Sequence, residues 1–255
     1  MAGQAQAILS AQGLTRDFRG FRAVDGVDLD VASGSVHALV GPNGAGKTTL
    51  FNLLTGFLRP TAGRIEFDGH DVTGLPPERV ARLGVARSFQ ITSLFPALSA
   101  QEHVELALQS ASGLGWRFWR STAVMGRYRA RARELLDLVG LVEFAGTPAD
   151  ALAYGRKRAL ELAIALALQP KVLLLDEPTA GMGLEDVDRT VELIGRVRDG
   201  RTVVMVEHNM SVVGRLADRV TVLQAGRILT EGPYEEVRTD PRVISAYLGV
   251  TDAAH

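Results

Sequence analysis

The chain has 255 residues with 46% hydrophobic and 22% charged content, enough for one large core with a satellite subdomain, and disorder is not indicated. Lys and Arg number 28 against 29 Asp and Glu, so the overall balance calls for no nucleic-acid or strongly anionic partner. Cysteine is absent, which excludes a disulfide framework and a thiolate metal site and fits a reducing compartment.

In chain order, residues 8–40 read as short strands, including Val24 to Val31, separated by turn signals at Arg19-Gly20 and Ser33-Gly34. The apolar run Val36 to Val40 then leads into GPNGAGKT, Gly41 to Thr48, and Thr49 to Phe57 reads as a helix. This octapeptide meets every fixed position of the phosphate-cradling pattern, in the strand-loop-helix context that the pattern requires. The glycines at 41, 44 and 46, with Pro42, Asn43 and Ala45 between them, let backbone N–H groups close around phosphate oxygens. Lys47 reaches the β and γ phosphates, Thr48 can hold a magnesium ion, and Thr49 continues the cradle into the helix N-terminus.

Strands follow at Arg64 to Phe67 and Val85 to Phe89, the second ending near Gln90. From Leu98 to Ala167 the pattern turns helical, and it then returns to α/β: strands at Val172 to Leu175 and Thr202 to Val206, a helix over Leu184 to Val197, and strands at Val220 to Leu223 and Arg227 to Leu229. The fold class that results is α/β, a P-loop NTPase (RecA-like) core with an N-terminal antiparallel β layer and an inserted α-helical subdomain. One domain is expected, with 1–97 and 168–255 forming core and β layer and 98–167 the helical subdomain. No stretch has the roughly twenty apolar residues needed to span a bilayer, and the N-terminus lacks the basic start of a signal peptide, so a cytoplasmic location is expected.

A phosphate loop alone fits a kinase, GTPase, helicase or transport ATPase. The discriminating text is VLLLDEP, Val172 to Pro178, in which two carboxylates follow a buried strand. There Asp176 can hold magnesium through water, and Glu177 can act as general base toward the attacking water.

At these residues the chain resembles the ATP-binding cassette (ABC) family, over almost its whole length. Gln90 resembles the family's Q-loop glutamine, which meets magnesium and couples to a membrane partner. LAYGR, Leu152 to Arg156, resembles the signature loop; His208 in VVMVEHN resembles the switch histidine that contacts the γ phosphate; and Phe18 stands where the family's adenine-stacking aromatic would, with Phe21 an alternative nearby. The resemblance implies ATP and Mg2+ as cofactors. It also implies a dimer in which Ala153, Tyr154 and Gly155 of one chain close, in trans, on nucleotide held by the other.

Departures accompany it. Ala153, Tyr154 and Arg156 replace the usual serine, glycine and glutamine of the signature, and Gly183 stands where the family usually has aspartate. LAYG, GVARSFQ (Gly84 to Gln90) and PRVISAYLG are similar to the LivG-type ATPases of branched-chain amino acid importers. That resemblance implies a peripheral subunit on the cytoplasmic membrane face, with transmembrane permease subunits, a second cassette of the same or a sister chain, and an extracytoplasmic solute-binding protein. ATPases of lipopolysaccharide export are an alternative, in which LSGG and a shorter insertion are expected. A non-transport ABC ATPase acting on nucleic acid or the ribosome is another, but the coiled-coil insertion or tandem cassettes typical of that class are missing. The stretch 113–133, with Trp116, Phe118, Trp119 and interleaved arginines, suits either a membrane-side contact or a solvated helix face.

Overall fold

The computed structural model describes residues 6–88, 94–112 and 122–248. Two strands of twelve residues open it, β1 (Ala7–Phe18) and β2 (Phe21–Ala32), paired antiparallel. The sequence reads as several shorter strands here because Gly13 and Gly26 adopt φ +56° and +61° and register shifts interrupt the pairing. With β4 (Ala62–Phe67) and β5 (His70–Asp71) they form a four-stranded antiparallel layer in the order β2-β1-β4-β5.

The second sheet has six strands. It contains β3 (Val36–Val40), β6 (Val85–Arg87), β7 (Val172–Asp176), β8 (Thr202–Val206), β9 (Arg219–Gln224) and β10 (Arg227–Gly232), in the order β10-β9-β3-β8-β7-β6. All its pairings are parallel except β9 with β10. Both faces are covered, which explains why the central strands read as continuous apolar runs. Successive side chains alternate between two cores: Val36, Ala38, Val40, Leu173, Leu175, Val203 and Met205 face one, while Leu39, Val172, Leu174, Val204 and Val206 face the other.

The core shared with the antiparallel layer is filled by α1 (Lys47–Leu54), whose Leu50, Phe51, Leu53 and Leu54 are buried. This helix begins two residues earlier and ends three earlier than the apolar pattern predicts. Gly46, in left-handed conformation at the helix N-terminus, sets the start. A short α2 (Pro77–Leu83), with prolines at its entry, precedes β6.

The opposite core carries α3 (Ala100–Ala111), α4 (Thr122–Leu138) and α5 (Tyr154–Ala167). Ser99 and Glu102 form a reciprocal capping box at the start of α3. Of the basic aromatic stretch, 113–121 lies outside the described residues. Further on, Arg127, Arg129 and Arg133 are exposed, and Arg131 pairs with Glu134 at 2.6 Å. The chain closes through α6 (Leu184–Val197), α7 (Met210–Leu216), α8 (Tyr234–Val237) and α9 (Pro241–Leu248). Among the described residues no helix is long and apolar enough to cross a membrane.

Candidate functional site

Strand register assembles the site. Leu39 stands opposite Val206, and Val206 opposite Asp176, so β3, β8 and β7 end level with one another. Their continuations, Gly41 to Thr48, Glu207-His208 and Glu177, therefore leave one edge of the sheet side by side, at the carboxyl ends where open parallel sheets bind ligands.

The loop after β3 has no room for side chains at two points. A Cβ on Gly41 would run into the Leu223 carbonyl at the end of β9, and one on Gly46 into the Ala23 carbonyl of β2. Gly226 N donates to the Ala45 carbonyl at 3.0 Å, and Ala45 N donates to Pro42 O at 3.2 Å. The loop is thus held from both sheets. Asn43, Gly44 and Thr48 are exposed, Pro42 and Thr49 partly so, and Lys47 is buried. Its Nζ donates to Gly41 O at 2.6 Å and Pro42 O at 3.0 Å. Burial holds the ammonium below its ordinary pKa, while the Glu177 carboxylate acts in the opposite direction and places a negative charge within its reach.

Asp176 ends β7 half-buried. Arg87, from the end of β6, donates to its Oδ2 at 2.6 Å and to Asn52 Oδ1 of α1 at 2.6 Å, with its guanidinium over the rings of Phe51 and Phe57. Glu177 follows at φ +46°, a left-handed conformation rare for a residue with a Cβ, fixed by its N–H donating to Val206 O at 2.9 Å. His208 is exposed, and its Nδ1 lies 3.9 Å from Glu207 Oε2.

Other expected residues lie apart. Phe18, at the β1–β2 hairpin, is 39% exposed with the Arg16 guanidinium 4.6 Å from its ring centre; Phe21, its strand partner, is 65% exposed. Gln90 lies outside the described residues. Ala153, Tyr154 and Gly155 form the start of α5, with Ala153 at the N-cap position making no side-chain hydrogen bond. The Tyr154 hydroxyl turns back on its own chain and donates to Ala180 O at 3.1 Å, beyond Glu177. Among the described residues no hydrogen bond or ion pair joins 153–155 to 41–49 within the chain.

Two residues in this neighbourhood escaped the sequence reading. Arg87 could have been noticed as a charge at the end of an apolar strand, and Glu207 as a carboxylate directly before the histidine. For a metal, Thr48 and Asp176 offer oxygen donors of the kind magnesium takes, and among the described residues no cluster of three His, Cys, Asp or Glu forms an all-protein cage.

Known proteins resemble this chain over nearly its whole length. A family model described as ABC transporter matches residues 24–180, and one described as branched-chain amino acid ATP-binding cassette transporter matches residues 227–253. The high-affinity branched-chain amino acid transport ATP-binding protein BraF of Pseudomonas aeruginosa is 40% identical over 254 residues, spanning 96% of this chain and 99% of that protein. Among solved structures, the ADP conformation of an ATP-binding cassette of an ABC transporter superposes with TM-score 0.81 at 27% identity, over 96% of this chain and 99% of that one. A dimeric post-hydrolysis cassette bound to ADP and Pi superposes with TM-score 0.75 at 26% identity, over 89% and 98%. With a glycine-rich loop, paired carboxylates and a histidine on one sheet edge, and these relatives over nearly its full length, the chain belongs to the ATP-binding cassette family of ABC transporters.

Proposed function

We propose that this chain is the ATP-hydrolysing subunit of an ABC importer for branched-chain or other hydrophobic amino acids. The observation that carries the reading is the level ending of β3, β8 and β7, which gathers Gly41–Thr48, Asp176, Glu177 and His208 at one edge in a chain 40% identical to BraF.

The loop N–H groups from Gly41 to Thr49 and the Lys47 ammonium hold the β and γ phosphates. Phe18, or Phe21 beside it, stacks on the adenine. Thr48, Asp176 and Gln90 are the residues that would hold Mg2+, whose charge offsets that of the phosphates when bound. Glu177 takes a proton from the attacking water, and His208 contacts the γ phosphate. Arg87 leaves Asp176 part of its acceptor capacity, since it engages Oδ2.

The site is completed by a second cassette, identical or sister, whose Ala153, Tyr154 and Gly155 bring backbone donors and a helix N-terminus to the γ phosphate. Permease subunits in the membrane and an extracytoplasmic solute-binding protein complete the system, with this chain on the cytoplasmic face. Nucleic acid has no part in it. The relatives at hand favour amino acids over lipopolysaccharide as cargo.

Co-purified permease, supplied with its binding protein and a panel of solutes, tests the reading. Leucine, isoleucine or valine should stimulate ATP hydrolysis. Stimulation by lipid alone would replace the cargo, and no ATP hydrolysis in any assembly would overturn the reading itself.

A further inference from the structure

Glu207 is 0% exposed. Its carboxylate accepts four hydrogen bonds from two different segments: Oε1 receives Thr179 N at 3.2 Å and Thr179 Oγ1 at 2.5 Å, and Oε2 receives His208 N at 2.9 Å and Asn209 N at 3.1 Å. Its own N–H donates to Leu39 O on β3 at 3.3 Å. One residue thus joins the turn that follows Glu177 and the segment that carries His208, through its side chain, to the strand that leads into Gly41, through its backbone. Asn209 carries the connection further, since its Oδ1 accepts from Ser211 N and caps α7.

A buried carboxylate is costly unless its acceptor sites are filled, and here donors converge on both oxygens. No Lys or Arg is paired with it among the described residues. The imidazole of His208 lies beside it, with Nδ1 3.9 Å from Oε2. What the carboxylate holds is the main chain that carries the ring: His208 N and Asn209 N both donate to Oε2, while the imidazole itself stays exposed beside it.

We infer that Glu207 is a positioning residue for hydrolysis, a clamp that fixes the His208 ring and the turn after Glu177 in one arrangement relative to the γ phosphate. The inference rests on the roles proposed above for His208 and Glu177. Glutamine in its place keeps the size but turns an N–H2 toward donors, so the clamp opens without leaving a cavity.

The test is a double-mutant cycle on the full chain, with Glu207→Gln, His208→Ala and the pair together, read by ATP turnover, affinity for a non-hydrolysable ATP analogue, and melting temperature. Glu207→Gln should lower kcat by about 10- to 100-fold while analogue affinity stays within about threefold of wild type. In that background, His208→Ala should cost less than about threefold more, because the two act as a unit. Thr179→Val, which removes one donor and keeps the charge, should show the same kcat-selective loss on a smaller scale and serves if Glu207→Gln does not fold. Wild-type turnover in Glu207→Gln, losses that multiply in the double variant, or analogue affinity falling in step with turnover would each overturn the clamp. Wild-type turnover in His208→Ala would remove the histidine's own role, and the clamp with it, whereas an impaired His208→Ala with multiplying losses would remove the clamp alone.

Discussion

Arg87 Nη2 lies 2.6 Å from Asp176 Oδ2, and the same guanidinium donates to Asn52, so the carboxylate assigned to magnesium is tied to β6 and to the helix that follows the phosphate loop. Both side chains are mostly covered, at 17% and 15% exposure. Arg87→Ala should therefore leave Asp176 without its charge partner and cost about 1–3 kcal/mol. At about 2–4 °C per kcal/mol for a chain of this size, the melting temperature without nucleotide falls by several degrees. Magnesium with ATP should narrow the gap to wild type by supplying positive charge at the same carboxylate. Equal melting of variant and wild type would show that the pair contributes nothing.

Lys47 is poised by contacts to the loop it belongs to, through Gly41 O and Pro42 O. Exchanging those carbonyls for phosphate oxygens gives charge-assisted bonds, so Lys47→Ala should weaken binding of an ATP analogue by about 10- to 100-fold in calorimetry. Unchanged affinity would sink the assignment of 41–48 as the phosphate cradle.

The general-base assignment predicts a different profile at Glu177. Glu177→Gln should bind ATP as wild type does, lower turnover by about 100- to 10,000-fold, and accumulate as a dimer when ATP is added, visible on size-exclusion chromatography. Turnover near wild type would move the base elsewhere.

Glu161, on α5, borders a cavity of about 40 Å³ between that helix, β7 and α6. Burial pushes its carboxyl up to about 7, against the opposing effect of Arg158, which pairs with it at 3.2 Å. The folded chain thus keeps a proton here that the unfolded chain releases near 4.5, so this group's contribution to stability falls as pH rises from about 4.5 to 7. The buried His37, pushed down to about 4, works in the other direction between 6.5 and 4. Comparing wild type with Glu161→Gln cancels the histidine. The variant's melting temperature should rise relative to wild type through that window, and the difference should be constant above it. A gap independent of pH would mean that Glu161 ionises freely.

The strand, loop and helix around Gly41 to Thr48 are legible because the pattern is contiguous: the glycines, lysine and threonine that mark it as a candidate phosphate loop fall within eight residues, between β3 and α1. The strand in VLLLDEP is legible for the same reason. Arg87 and Glu207 were not, because their partners lie 89 residues away at Asp176 and 28 residues away at Thr179. Only the order β3-β8-β7-β6 makes them neighbours. The reading of Tyr154 as a residue acting in trans could not include its hydrogen bond to Ala180, which depends on how α5 packs beside the turn after β7. The long first strands were obscured locally, by glycines that bend them and break the alternation.

Glu177 also sets two selection pressures against each other. A residue with a Cβ at φ +46° costs about 1–2 kcal/mol relative to glycine, and this glutamate sits in that conformation at the carboxyl end of β7. Glu177→Gly should therefore make the chain harder to unfold, measured in urea, while stopping turnover. A sequence chosen for durability alone would abandon this side chain; one chosen for work retains it, and the difference between the two unfolding curves measures how much ruggedness the reaction consumes at a single position.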